Sequence, residues 1–483
     1  MKPIRSTLPL LAALSAGLVH AAPPALTIYN QDFAVVRERL PLQLSAGVTA
    51  ASFNGVTRTL EPDSVVLRDP SGRVPIRVLE QSYRAETASP GLMLEFSEGR
   101  EINFLVRSPE GKEHVVRGKV IRSGHGGYGE GATPIIEVDG QLRFSLPGEP
   151  LFPALADDAV LRPTLSWQVH SPTATDLEAE LSYVTGGLSW RAAYNLVMPE
   201  KGDTLDVVGW VSMENRSGTD FIEAAIKLMA GEVNKVRDER VMLQTFDMRA
   251  KAVAAEVANV TEKAFDEFHL YTLPRPATLR DQETKQVEFI RATGVKAETL
   301  FVYDGAAIQQ YRGWSPEMIR QNPDYGVQSN RKVWVMREFK NTKENGLGLP
   351  LPAGRTRFYR RDDADGRLEF TGENTIEHTP QGETVRIYTG DAFDIVGERR
   401  RVDFSLVNRQ DVAEEAFEIT LRNRKTEPVE VRVVEHLYRG VNWQLIQNSD
   451  TYERQDAQTV EFRVRLQPDE ERKISYRVRY SWQ

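Results

Sequence analysis

Two stretches of this sequence concentrate side chains that could do chemistry. Ser123 to Gly131 reads Ser-Gly-His-Gly-Gly-Tyr-Gly-Glu-Gly. Glycine-rich loops cradle phosphate when their N–H groups converge at a helix N-terminus. Here the flanks, Val115 to Arg122 and Ile135 to Val138, read as strands, and no Lys-Ser/Thr pair follows. The loop is expected to be a hairpin connection, with His125 and Tyr128 as its ligand-binding candidates. The densest acidic cluster is Asp362-Asp363-Ala364-Asp365-Gly366. Hard cations favour such oxygen ligands, but the later glutamate of a calcium loop is missing at its required spacing. Arg357, Tyr359 and Arg361 alternate before the cluster, and Leu368 and Phe370 follow it. That pattern predicts a hairpin tip at Asp365-Gly366, with Asp363 and Asp365 as candidate ligand contacts.

The other templates fail on spacing. Beyond His20 the histidines are His114, His125, His170, His269, His378 and His436, no two of them a helical turn apart. No metal site is expected from them, and His436, inside Val433 to Tyr438, reads as a satisfied strand residue. Ser329-Asn330-Arg331-Lys332 matches Ser-x-x-Lys, a chemistry that needs the two side chains one helical turn apart. The tetrad runs straight into the strand-like Val333 to Met336. Gly187 to Arg191 breaks the Gly-x-Ser-x-Gly elbow at its last position. With no cysteine in the chain, thiolate chemistry and cysteine metal sites are excluded. No cofactor is expected. A carboxylate pair for glycoside hydrolysis is set by the fold rather than by spacing, so it stays open. Trp167, Trp190, Trp210 and Trp334 sit in apolar strands, where core packing is the default.

The elements that would carry such residues are mostly strands. Leu177, Ala179, Leu181 and Tyr183 alternate with polar residues, as do Phe417 to Leu421, Val429 to Val433 and Val460 to Leu466. Side chains at period two point to opposite faces, so these are strands with one wet face, the mark of antiparallel sheets. Turn pairs such as Asp139-Gly140, Gly186-Gly187 and Asp304-Gly305 punctuate them. The fold expected is all-β, a multidomain antiparallel sandwich of immunoglobulin-like architecture with one or two short helices. Ser315, as cap before Pro316, predicts a short helix to Gln321, and the Ala-rich Met248 to Phe268 predicts another. Prolines 147, 150, 153 and 163 suggest a linker. The expected layout is a signal segment 1–21, a β domain 22–145, a linker 146–165, a middle β domain 166–322 and a C-terminal sandwich 323–483. The last strand, Tyr476 to Trp482, alternates like an outer-membrane barrel strand, but the others are too short for a lipid-facing band.

Lys2 and Arg5 precede an eleven-residue apolar run, Leu8 to Leu18, and then Val19-His20-Ala21. This is the pattern of a cleaved secretory signal, too short for a membrane span. The expected location is therefore periplasmic or secreted, after cleavage near Ala21. The net charge is −8, or −10 without Lys2 and Arg5, which disfavours nucleic acid and anionic membrane surfaces. Hydrophobic residues at 40% and charged residues at 27% place the chain with globular rather than disordered proteins.

Several short motifs recur together: Leu181 to Trp190 with Tyr194, Asn215-Arg-Ser-Gly218, Lys227-Leu-Met-Ala-Gly231, Leu351-Pro-Ala-Gly354, Arg357 to Asp363, Leu368 to Glu373 and Gly390 to Gly397. With them the chain, over about residues 170 to 483, resembles bacterial exported proteins that carry the domain of unknown function 4139. The resemblance implies a β-rich envelope protein and no assigned activity. More distant relatives, called mucoidy inhibitor A-like, pair this domain with a helical, coiled-coil-forming half. Residues 26 to 145 instead read as strands without heptads. In this chain Gly186-Gly187 fits a tight turn, and Trp190 and Tyr194 fit core positions. The expectation is a non-catalytic envelope β protein that binds a protein or glycan partner, with no nucleic acid and no stable membrane insertion. A metal-independent carbohydrate-active hydrolase using a carboxylate pair is the alternative, and an assembly factor pairing edge strands is a third.

Overall fold

Alternation builds the molecule almost throughout. A computed structural model describes residues 22–85, 89–108, 111–124, 133–152, 162–231, 233–235, 261–265, 268–407 and 411–482. The expected signal segment, residues 125–131 of the glycine-rich loop with His125 and Tyr128, and residues 248–260 lie outside the described residues. The fold is all-β, built from several sheets, with two short α-helices, Pro90–Glu95 and Pro316–Gln321, among the described residues. In the second, Ser315 Oγ accepts from Met318 N at 3.2 Å and Pro316 opens the first turn. This is the cap its sequence specifies.

The chain forms two compact units, each assembled from separated stretches. The first comprises Met1–Trp190, Met213–Glu232 and Leu270–Lys285; the second comprises Arg191–Ser212, Val233–His269 and Gln286–Gln483. In the first unit, Phe33–Leu44 pairs antiparallel with Thr175–Gly186 along its whole length, from Leu44 opposite Thr175 to Phe33 opposite Gly186. Ala179, Leu181 and Tyr183 turn inward from that ladder to meet Val36, Leu40 and Leu42. A small five-stranded sheet carries its own core of Ile102, Phe104, Val120, Ile136 and Val138. A three-stranded sheet places Thr164–Ser171 between Gly47–Asn54 and Arg77–Arg84.

The second unit is dominated by a nine-stranded sheet that closes over a single core. Its strand order is Asn442–Asn448, Glu471–Ser481, Val412–Asn423, Thr384–Val407, Lys332–Lys340, Glu298–Asp304, Val429–His436, Thr459–Leu466 and Tyr452–Arg454. Phe417 stacks on Tyr476 at 5.3 Å, and Tyr476 on Phe462 at 5.9 Å. Strands near opposite ends of the order therefore face one another, as in a sandwich.

Two expectations need correction. The sheets are not purely antiparallel. Ala25–Tyr29 with Phe221–Ala230, Leu188–Met198 with Gly354–Arg361, and Glu298–Asp304 with Val429–His436 all pair in parallel. Each pair joins segments more than a hundred residues apart, far beyond the dozen or so residues that a parallel crossover needs. The described end of the Met248–Phe268 stretch is strand, Thr261–Phe265, rather than helix. Intrinsic propensity is a weak prior, and tertiary pairing overrides it.

One glycine makes room for a buried ring in the large sheet. A Cβ at Gly397 would meet the Tyr303 ring at 2.2 Å. That ring is fully buried, with its hydroxyl donating to Asn330 O at 2.8 Å. Gly397→Ala is expected to lower stability by about 1–3 kcal/mol through overpacking, measured by urea denaturation.

Candidate functional site

Of the sequence candidates, Asp363 and Asp365 are placed and His125 and Tyr128 are not. Asp363 and Asp365 occupy the tip of an antiparallel hairpin between Gly354–Arg361 and Leu368–Ile376. Asp365 Oδ1 accepts from Arg367 N at 2.9 Å, and Asp365 also pairs with the Arg367 guanidinium at 3.4 Å. Asp363 N donates to Glu200 Oε2 at 3.0 Å. Asp362 Oδ1 accepts from Ala364 N at 2.8 Å. The turn thus engages two of its three carboxylates.

The described histidines are scattered. His114, His170 and His378 are exposed, and His269 pairs with Glu262 at 2.8 Å. His436 Nε2 meets Asp304 Oδ2 at 2.9 Å. Burial works against a charged imidazole there, but the Asp304 carboxylate wins and raises the pKa. No group of three or more His, Asp or Glu among the described residues is placed to hold a metal. Ser329 Oγ donates to Arg399 O at 3.1 Å while Lys332 pairs with Asp391 at 2.8 Å, so the Ser-x-x-Lys side chains go separate ways.

Among the described residues, one open polar surface is the outer face of the three-stranded sheet. Along Thr164–Ser171 the alternation is strict: Leu165, Trp167, Val169 and Ser171 are buried, and Thr164, Ser166, Gln168 and His170 face outward. Register then sets polar rows across the strands. Ser52, Ser166 and Ser82 stand side by side, and Ala50, Gln168 and Glu80 form the next row. A shallow trough of about 280 Å³ lies over these rows, lined by residues that include Ser52, Ser82, Ser166, Gln168 and Glu80. Ala50 keeps one wall low. The register shift at Gln168/Val169 bends the Arg77–Arg84 strand beside Glu80. Ala51 and Trp167 also line the trough, and Trp167 is anchored by its Nε1, which donates to Gln81 Oε1 at 2.9 Å. Three hydroxyls, an amide and a carboxylate on adjacent strands are donors and acceptors suited to a polyhydroxylated ligand.

A second polar constellation is internal to the large sheet. Arg439 grips Glu415 with two nitrogens, at 2.6 and 3.1 Å, with both side chains almost fully buried. Its remaining donors reach the carbonyls of Ile319 at 2.6 Å, Asn322 at 3.1 Å and Tyr325 at 3.1 Å. Arg399 pairs with Glu435 at 2.9 Å, donates to Gly326 O at 2.6 Å and lies 3.9 Å over the Phe417 ring. Tyr476 donates to Glu435 at 2.5 Å; burial first, and then the Glu435 charge, keep that phenol protonated far above its usual range. Arg401 donates to Pro323 O. Three guanidiniums thus hold the carbonyls at the end of the Pro316–Gln321 helix and the loop behind it. Every role here is positional.

The short motifs behave the same way. Trp190 Nε1 donates to Met229 O at 3.1 Å, and Tyr194 OH to Pro352 O at 2.7 Å. Asn215 Nδ2 reaches Thr219 O at 2.9 Å and Leu279 O at 3.1 Å. Gly187 sits at φ +75°, where a Cβ would strike Arg216 O at 2.9 Å. Apart from those of Asn215, these contacts join one motif to another inside the protein. The model of the domain of unknown function DUF4139 matches residues 179–483, more than half the chain. The chain belongs to the DUF4139 family. No curated protein matches it. The guanidinium clamp lies within the DUF4139 portion, whereas every residue lining the polar trough precedes it. Among the described residues no helix is long and apolar enough to cross a membrane.

Sequence reasoning passed over the trough. Its signal is the outward series Thr164, Ser166, Gln168 and His170, alternating with the buried face that carries Trp167.

Proposed function

We propose that this protein is an exported, non-catalytic component of the cell envelope that binds a glycan on the outer face of its three-stranded sheet. The observation that carries this reading is the trough over the Ser52–Ser166–Ser82 and Ala50–Gln168–Glu80 rows. Its polar groups sit on strands whose opposite side is anchored by buried Leu165, Trp167 and Val169, so the donors are pre-positioned. Export rests on Lys2, Arg5 and the Leu8 to Leu18 run, which read as a secretory signal. Glu80 is the one carboxylate among the residues lining the trough, and glycoside hydrolysis uses two flanking the scissile bond. Binding is therefore the better reading of this face.

The test is co-sedimentation or calorimetry of the purified chain with envelope polysaccharide fractions. The double variant Glu80→Ala/Gln168→Ala is expected to lose binding by about tenfold or more, with stability changed by no more than about 0.5 kcal/mol because these are surface positions. Unchanged binding in that variant, or no polysaccharide bound by the parent, defeats the assignment.

A further inference from the structure

Arg337 departs from the rule that governs the other buried arginines of the large sheet. Arg399 and Arg439 each have a carboxylate partner. Arg337 is only 7% exposed, yet among the described residues it forms no ion pair. It stands in the Lys332–Lys340 strand, with Thr299 opposite on one side and Ile387 on the other. Its Nη1 donates to Thr299 Oγ1, and its Nε is buried with no hydrogen-bond partner. The edge of a guanidinium formed by Nε and Nη2 presents two parallel donors, the geometry that matches two oxygens of one carboxylate or phosphate.

The charges around it sharpen the anomaly. Burial lowers the Arg337 pKa most, the like charge of Arg360 lowers it further, and the Asp203 carboxylate opposes them. Arg360, half-buried on the Gly354–Arg361 strand, donates from Nη1 to Glu200 O at 3.1 Å. The neighbouring Glu338 is committed to Arg386 at 2.5 Å. Two guanidiniums against one carboxylate leave an excess positive charge in a partly desolvated place. Burying an uncompensated charge is costly, and such sites are ordinarily neutralised by a partner.

We propose that Arg337 is the centre of a binding site for a small oxyanion, a phosphate or carboxylate group seated on its unpartnered Nε edge, with the positive charge of Arg360 adding to the attraction. The site goes beyond the glycan reading, since it uses different residues and lies in the DUF4139 portion of the chain.

Calorimetric titration of the full chain with inorganic phosphate and, separately, with acetate tests it, chloride at matched ionic strength serving as the control. Saturable binding with one site per chain is expected for at least one of the two anions. Phosphate alone binding assigns a phosphoryl ligand, and acetate binding assigns a carboxylate. Arg360→Gln is expected to weaken binding about tenfold through the loss of a nearby positive charge, with the native fold in chloride checked by circular dichroism. Arg337→Lys, which keeps the charge but loses the fork, weakens it likewise. No saturable heat with either anion, or binding that neither substitution alters, overturns the proposal.

Discussion

Replacing Arg439 with Met is expected to destabilise the protein by about 3–5 kcal/mol, measured by urea denaturation followed through tryptophan fluorescence. The magnitude follows from what the substitution leaves behind. Glu415 is nearly fully buried, and without Arg439 its closest cation is Arg401 at 3.8 Å, too far for a hydrogen bond. A buried carboxylate stripped of its partner retains its full desolvation penalty. The carbonyls of Ile319, Asn322 and Tyr325 lose donors in the same step. Removing both charges separates these contributions: Arg439→Met/Glu415→Met is expected to recover a large part of the loss, because replacing a buried pair by apolar residues is often neutral. The coupling energy from the double-mutant cycle isolates the pair, and faster amide exchange over residues 319–326 reports the released loop. A single-variant loss below about 1 kcal/mol would show that the clamp does not organise this sheet.

The strands that build this sheet were legible because their apolar residues recur at period two. The same alternation also contained the clamp. Glu415 is in phase with Phe417, Ile419 and Leu421, and Glu435 with Val429, Val431 and Val433, so each acid points where the apolar residues point. Arg337 is in phase with Val333 and Phe339 in the same way. A charge in phase with buried residues is a readable signal of an interior ionic contact. The hairpin at Asp365-Gly366 and the Ser315 cap were legible because turn and cap chemistry are local. Trp167 and Trp190 are core residues at 2% exposure, as strand context implies, while Trp210 and Trp334 are half-buried. The three parallel pairings and the interleaving of the two units were not legible, since no local pattern tells Ala25 that it will lie beside Ala225. The polar trough fails for the same reason: its strands come from residues 47–54, 77–84 and 164–171, and only their register makes a face.

Glu38 shows the in-phase rule in the first unit and yields the clearest pH dependence. It lies between buried Val36 and Leu40 on Phe33–Leu44, its Oε2 buried with no hydrogen-bond partner. Burial raises its pKa from 4.5 to about 7. Between these values the unfolded chain has lost the Glu38 proton while the folded protein keeps it. The folded state therefore binds more protons, and its stability falls as pH rises from about 4.5 to about 7 before levelling off. The integrated loss is about 3 kcal/mol. Glu38→Gln keeps the size and removes the ionisation. Its stability relative to the parent is expected to rise across that window and to stay about 3 kcal/mol higher above pH 7. His436, whose pKa is also raised, contributes stability that is present below its unfolded value and lost as pH rises through the folded one. It titrates in both proteins, so the difference between variant and parent cancels it and leaves Glu38 alone. Chemical denaturation at pH 4, 5.5, 7 and 8.5 supplies that difference. A flat difference would mean that water reaches Glu38 in the folded state and that its charge is solvated there.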